Sequence, residues 1–134
     1  MAHKYVLDTH ALVWYLEGNP RLGQEAKTVL DNPHCELLLP IIALAEAVFI
    51  VERGRTNITD VSSLLEVVVA DPRMEIYPLN WQVFQQTLTV TAIPAMHNRQ
   101  IVATAIHLRM LNHNVSILTK DRTIVAAGLV PVVW

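Results

Sequence analysis

Short apolar runs alternate with longer amphipathic stretches along the chain, and this order predicts strands and helices in turn. The first run, Tyr5-Val6-Leu7, leads directly into an acid, Asp8, and a helix-forming stretch follows from Ala11 to Leu16. An unbroken apolar run is typical of a strand buried on both faces of a parallel sheet. We therefore expect Asp8 at the junction between the first strand and the first helix, an edge where α/β sheets bind ligands.

The remaining segments repeat this order. Further strands are predicted at 36–39, 74–78, 115–118 and 130–133, and further helices at 22–30, 41–53, 60–70, 80–90, 98–111 and 121–127. Strands that alternate with helices indicate a parallel sheet covered on both faces. The pattern predicts a single domain over residues 1–134, an α/β/α sandwich with a small central sheet.

Composition narrows the class of protein. Of the 134 residues, 52% are hydrophobic and only 16% are charged, which is too apolar for a disordered chain. No apolar run approaches the roughly 18 residues that a membrane span needs. Met1-Ala2-His3-Lys4 directly precedes the first strand, and Cys35 is the single cysteine, so we expect no signal peptide, no internal disulfide and a cytoplasmic location.

Glu46 is the only charged residue between Ile41 and Val51. Its helical neighbours are apolar, so no basic residue on the same helix can pair with it. We expect this helix to be largely buried, and a buried carboxylate without a partner is costly. A shared divalent cation would compensate; the alternative is that Glu46 faces solvent on one exposed stripe.

Asp121 repeats the arrangement at Asp8, because it follows a buried strand and precedes a helix. Aspartate is also a favoured N-cap, which would explain Asp121 without any function. Asn98 opens the long late helix and shares a face with Val102 and Ala105, so its side chain should point inward. It too could act simply as a cap.

Oxygen ligands suit Mg²⁺ and Mn²⁺, and such ions activate water and stabilise charge on a phosphoryl group. Asp8, Glu46 and Asp121 supply three negative charges, and the Asn98 amide oxygen is a weaker, neutral ligand. The net charge of −2 does not by itself indicate a nucleic-acid binder. Basic residues near these acids could hold phosphates, with Arg99, Lys120 and Arg122 as the main candidates and Arg53 and Arg55 as further ones.

The chain resembles the PIN domain over essentially its whole length, and most closely the VapC-type toxins of bacterial and archaeal toxin–antitoxin systems. The resemblance rests on four segments in this order: Asp8-Thr9 with Trp14, the lone Glu46 in its apolar helix, residues 96–105 (MHNRQIVATA), and Leu118-Thr119-Lys120-Asp121. Their order and spacing together carry the signal, and no one motif would suffice.

The resemblance implies a metal-dependent endoribonuclease. Carried over residue by residue, it assigns catalytic and metal-binding roles to Asp8, Glu46, position 98 and Asp121, with Thr119 as a group that orients water or a ligand. It also implies Mg²⁺ or Mn²⁺ as cofactor, an RNA substrate, a homodimer and a cognate antitoxin whose tail enters the active-site groove.

Position 98 departs from the family pattern, which has aspartate where this chain has Asn98. The exchange is nearly isosteric, so the fold should be unaffected, but the lost charge should weaken metal binding and hydrolysis. The alternative function is a catalytically silent PIN-like module that binds RNA or a partner. A phosphoacceptor domain is disfavoured, since the second acid of a dehalogenase-type motif is replaced by His10.

Overall fold

The computed structural model describes residues 3–134. Met1 and Ala2 lie outside the described residues, and they belong to the segment on which the expected lack of a signal peptide rests. Five strands and seven helices follow in the order β1 His3–Leu7, α1 Thr9–Glu17, α2 Gln24–Asp31, β2 Glu36–Pro40, α3 Ile41–Glu52, α4 Val61–Ala70, β3 Met74–Tyr77, α5 Trp81–Thr87, α6 Met96–Met110, β4 Asn114–Leu118, α7 Arg122–Ala127 and β5 Val132–Val133. Each predicted element is present.

The strands form one parallel sheet in the order β3-β2-β1-β4-β5. The chain builds outward from β1 to β3 on one side, and then crosses to add β4 and β5 on the other. The strand order therefore reverses between β1 and β4, where Leu7 is in register with Leu118. Parallel α/β sheets bind ligands in the crevice at such a switch point.

Successive side chains of each central strand enter opposite cores. Leu7 and Leu118 belong to a core that contains residues of α1 to α4, whereas Val6 and Ile117 belong to a core built with α6 and α7. All four are fully buried, as expected for strands covered on both faces. This confirms the predicted α/β/α sandwich. No helix in residues 3–134 is long and apolar enough to cross a membrane.

Three expectations need correction. Helix α6 begins at Met96 with Ala95 as its N-cap, so Asn98 lies inside the first turn and does not cap the helix. Helix α5 ends at Thr87, before the predicted Val90, and the Thr87 hydroxyl there donates to the carbonyl of Phe84. The burial expected for α3 holds for one face only, because the opposite face, which includes Ile41 and Phe49, is exposed.

Candidate active site

Two acids stand at the carboxyl ends of the neighbouring strands β1 and β4. Asp8 caps α1, where its Oδ1 accepts from the backbone N–H of Thr9 at 2.6 Å. Asp121 caps α7, where its Oδ1 accepts from the N–H groups of Thr123 and Ile124. The capping role of Asp121 is thus real, but each acid uses mainly one oxygen as a cap and keeps Oδ2 for contacts within the site.

The Thr119 hydroxyl joins the two acids. It donates to Asp8 Oδ2 at 2.5 Å and accepts from the backbone N–H of Asp121 at 3.0 Å. Its side chain is completely buried and comes from the strand end next to that of Asp8. A hydroxyl in this position can meet both demands at once, because it is both a donor and an acceptor. Thr119 therefore fixes the orientation of the Asp8 carboxyl.

The two acids differ in their electrostatic environment. Burial is the main influence on Asp8 and raises its pKa above the ordinary value, even though hydrogen bonds from Thr119 and Thr9 and the nearby His10 act in the opposite direction. Burial also acts to raise the pKa of Asp121, but hydrogen bonds from Thr123, Ile124 and Asn98 together outweigh it and lower that pKa. Asp8 is therefore the carboxylate whose charge is less well compensated by the protein.

Glu46 approaches from α3 on the opposite wall. Its Oε1 accepts from the Thr9 hydroxyl at 3.1 Å, and its Oε2 lies 3.8 Å from His97 Nε2. The side chain is about one-third exposed, so it is neither a buried unpaired charge nor a free surface group. Sequence reasoning missed the contact with Thr9; the only signal for it was the position of Thr9 directly after Asp8.

Asn98 is the fourth polar side chain predicted at this site, beside Asp8, Glu46 and Asp121. It is buried, as its position on the inner face of α6 predicted, and its Nδ2 donates to Asp121 Oδ2 at 3.3 Å. The amide thus faces a carboxylate as a hydrogen-bond donor. In residues 3–134, all buried side-chain nitrogen and oxygen atoms have a hydrogen-bond partner.

These groups enclose one cleft of about 150 Å³. Its lining residues are Asp8, Thr9, His10, Glu46, Phe49, Ile50, His97, Asn98 and Asp121. The structure thus brings together all four residues predicted as metal ligands, with Thr119 hydrogen-bonded to Asp8. Sequence reasoning did not predict the apolar wall formed by Phe49 and Ile50.

The donor set fits a hard divalent cation, since carboxylate and amide oxygens are the ligands that Mg²⁺ and Mn²⁺ prefer. The described part of the chain contains no group of three or more His, Cys, Asp or Glu side chains arranged to hold a metal by themselves. Mg²⁺ usually keeps several waters, and the cleft has room for them beside Asp8, Glu46 and Asp121.

Of the three basic residues predicted to contact nucleic acid, two lie next to the acids of the cleft. Lys120 and Arg122 are exposed and line a second cavity next to Asp8 and Asp121. Arg99 donates from Nε to the carbonyl of Ile93 at 2.6 Å, and it is not among the residues that line the cleft or this cavity.

Arg53 and Arg55 are the two further arginines that the sequence offers as phosphate contacts. Arg53 lies over the ring of Phe49 at 4.0 Å, behind the apolar wall of the cleft. Arg55 follows the end of α3 and is exposed. Neither lines the cleft or the second cavity, so their role as phosphate contacts stays a prediction.

A family model described as PIN domain matches residues 5–128. The chain belongs to the PIN domain family. The match includes Asp8, Glu46, Asn98 and Asp121 and nearly all the elements that position them. A search of curated proteins gave no match.

Solved structures with the same fold cover nearly the whole chain. VapBC2 from Rickettsia felis, bound to a DNA fragment from its own promoter, has a TM-score of 0.69 at 14% identity, with 96% of each chain covered. FitAcB from Neisseria gonorrhoeae has a TM-score of 0.66 at 18% identity, covering 96% of this chain and 95% of that one. DNA-bound VapBC from Salmonella typhimurium has a TM-score of 0.67 at 16% identity, covering 98% and 97%. At these identities, the similarity shows the PIN fold of this chain.

Proposed function

We propose that this PIN domain is a metal-dependent endoribonuclease, the toxin of a toxin–antitoxin pair, whose activity is reduced by Asn98. The observation that carries the proposal is the convergence of Asp8, Glu46 and Asp121 on one cleft at the switch point of the sheet. The charge of Asp121 acts to raise the pKa of Asp8, and a divalent cation between these carboxylates would relieve their repulsion. A bound Mg²⁺ or Mn²⁺ would supply a water of lowered pKa and neutralise charge on the phosphate.

Asp8 is the central ligand in this proposal. Burial raises its pKa, so the free carboxylate is unfavourable and gains most from a cation. Thr119 holds the orientation of this carboxyl through the 2.5 Å hydrogen bond to Oδ2. The fixed geometry reduces the reorganisation needed when the phosphate enters, which is the usual advantage of a preorganised site.

Glu46 and His97 form the opposite wall. Glu46 is held by the Thr9 hydroxyl and remains about one-third exposed, so its second oxygen can accept a hydrogen bond from a water entering the cleft. We assign it the orientation of the attacking water. His97, about half exposed, is placed to donate a hydrogen bond to a phosphate oxygen.

Asn98 explains the expected impairment. Its amide donates to Asp121 Oδ2 and so takes over part of the charge compensation that a cation would provide. An aspartate at position 98 would instead bring two carboxylates close together, an arrangement that a shared proton or a cation must stabilise. The native chain therefore binds the metal less tightly than its Asn98→Asp variant.

The partners are proposed on two grounds. Lys120 and Arg122 beside the acids suit the phosphates of an RNA substrate. Helices α3 and α4, which contact each other, expose large apolar side chains, including Phe49 at 51% and Val69 at 73%. We propose that such surfaces are covered in a homodimer and by the antitoxin. Two of the similar structures are VapBC proteins bound to DNA, which supports a toxin–antitoxin assignment.

The test compares RNA cleavage by the native chain and by Asn98→Asp with Mg²⁺ or Mn²⁺. We expect faster cleavage by Asn98→Asp, and loss of that activity when Asp8→Asn is added. Asn80→Asp is the matched control, because Asn80 caps α5 outside the cleft and the same charge is introduced. Equal rates for the native chain and Asn98→Asp would show that three carboxylates suffice.

The second candidate is a silent module that binds RNA or a partner, and the Asn98–Asp121 hydrogen bond is the observation that favours it. This function predicts no cleavage of structured or unstructured RNA by the native chain or by Asn98→Asp, together with measurable RNA binding. That pair of results would replace the nuclease proposal.

A further inference from the structure

A second cavity of about 410 Å³ adjoins the active-site cleft. It shares Asp8, His10 and Asp121 with the cleft and is completed by Trp14, Lys120, Arg122 and Trp134. Pockets that hold small organic ligands have volumes of roughly 300–1,000 Å³. A chain-like substrate with one phosphate in the cleft can place its neighbouring unit in this cavity, because the two spaces share three residues.

The cavity wall is aromatic on one side. The rings of Trp14 and Trp134 meet edge to face with their centroids 6.0 Å apart, and the His10 ring lies 5.0 Å from Trp14. Lys120 Nζ lies 4.7 Å from the centre of the Trp14 ring. Arg122 lines the same cavity, together with the acids Asp8 and Asp121 of the cleft. Aromatic faces beside cations are the usual combination for single-stranded nucleic acid.

Trp134 is held in place by close packing against Gly23. A Cβ atom at position 23 would lie 2.5 Å from Cδ1 of the Trp134 ring and 2.3 Å from its carbonyl carbon. The backbone of Gly23 has φ of −63°, which any residue can adopt, so the conformation does not require glycine. The close approach of Trp134 does. The ring is therefore positioned by the fold and forms a fixed wall of the cavity.

We propose that this cavity is a nucleotide subsite, in which one unpaired base next to the cleaved bond stacks on Trp134, beside Trp14, while Lys120 and Arg122 bind its phosphate. The proposal rests on the proposed nuclease function, because it names where the substrate lies beside that site. Stacking reads the flat face that every base shares, so the subsite selects unpaired nucleotides with little base preference. A paired base cannot enter, since both of its faces are covered in a helix.

Tryptophan fluorescence provides the test. The chain contains three tryptophans, Trp14, Trp81 and Trp134. Trp81 stacks on Phe84 away from the cavity and is 65% exposed, so Trp81→Phe keeps an aromatic ring there. All remaining tryptophan emission then comes from Trp14 and Trp134 in the cavity. In this background, the probe is a short oligouridylate in EDTA, which prevents cleavage. An abasic ribose-phosphate oligomer of equal length and charge is the matched ligand.

We expect saturable quenching by oligouridylate and none by the abasic oligomer. Trp134→Ala should weaken oligouridylate binding roughly 5- to 150-fold, from the stacking energy of one base, and leave abasic binding unchanged. Trp134→Phe should restore most of the affinity, since a phenyl ring also stacks. Gly23→Ala, which displaces Trp134 without removing it, should act like Trp134→Ala.

Lys120→Gln should weaken the binding of both oligomers and reduce its salt dependence, whereas Lys27→Gln, an exposed lysine outside the cavity, should not. Equal quenching by both oligomers, or none by either, would overturn the subsite. Cleavage by Asn98→Asp without such quenching would refute the subsite and leave the nuclease. Quenching by oligouridylate and not by the abasic oligomer, without cleavage by any variant, would support the subsite and refute the nuclease.

Discussion

The Thr119 hydroxyl connects the two acids at the strand ends, and its removal tests whether the site is preorganised. Thr119→Val keeps the shape of the side chain but removes the donor to Asp8 Oδ2 and the acceptor for the Asp121 N–H. Because Thr119 is completely buried, no water can replace the hydroxyl unless the strand ends move.

The expected cost follows from these two contacts. A hydrogen bond to a charged group contributes about 1.5–3 kcal/mol, and a buried N–H left without a partner costs about 1–3 kcal/mol. The Thr119–Asp8 bond is buried, but the Asp121 N–H is only partly buried, so the lower part of the second range applies and the sum is about 3 kcal/mol. For a domain of this size, 1 kcal/mol changes the Tm by about 4 °C, which gives a decrease of about 12 °C.

Thermal and denaturant unfolding at neutral pH measure this change. The matched control is Thr104→Val, because Thr104 is also buried but donates only to the Gln100 carbonyl of its own helix, at 2.7 Å. We expect a loss of about 1 kcal/mol for the control. If Thr119→Val loses no more stability than Thr104→Val, the hydroxyl does not join the two acids and the reasoning is wrong.

The pH dependence gives a second check on the same variant. The hydrogen bond from Thr119 favours the ionised form of Asp8, so its loss raises the pKa of Asp8 further. The stability difference between the native chain and Thr119→Val should therefore narrow as the pH falls through the pKa of Asp8. A difference that stays constant across the pH series would contradict this account.

Three further predictions follow from the same site. Asp8→Asn should raise the Tm at neutral pH, because the raised pKa of Asp8 means that its ionised form opposes folding, and thermal melts should show the gain vanish in acid. Asp121→Ala should lower the free energy of unfolding by about 1 kcal/mol in denaturant, whereas Asp121→Asn keeps the cap of α7. Because the fold lowers the pKa of Asp121, its ionised form stabilises the fold, and this contribution is lost as the pH falls through that pKa. Mn²⁺ should raise the Tm of the native chain and raise it less after Glu46→Gln.

Local patterns were sufficient for the elements and for two of the acids. Most of the strands contain a short apolar run, and β3 was predicted from alternating apolar and polar residues. Asp8 follows such a run directly and Asp121 follows one after two residues, so their positions at strand ends could be predicted from nearby residues. Asn98 was placed on the inner face of its helix by the spacing of Val102 and Ala105. These properties depend on neighbours within one or two helical turns, which a single sequence shows.

Only the tertiary structure decided how these residues meet. Thr119 and Asp8 are 111 positions apart and form a hydrogen bond because β1 and β4 are adjacent in the sheet. Glu46 was expected to be buried without a protein partner, yet it accepts from Thr9 and stays partly exposed because α3 packs through one face.

The second cavity shows most clearly what a sequence pattern cannot predict. Trp14 and Trp134 lie far apart in the sequence, and no hydrophobic periodicity indicates their ring contact or the packing of Trp134 on Gly23. Hydrophobic periodicity records which face of an element is buried, since that depends on the element alone. Which elements come together depends on strand order and packing over the whole domain, and those decided the cleft and the cavity.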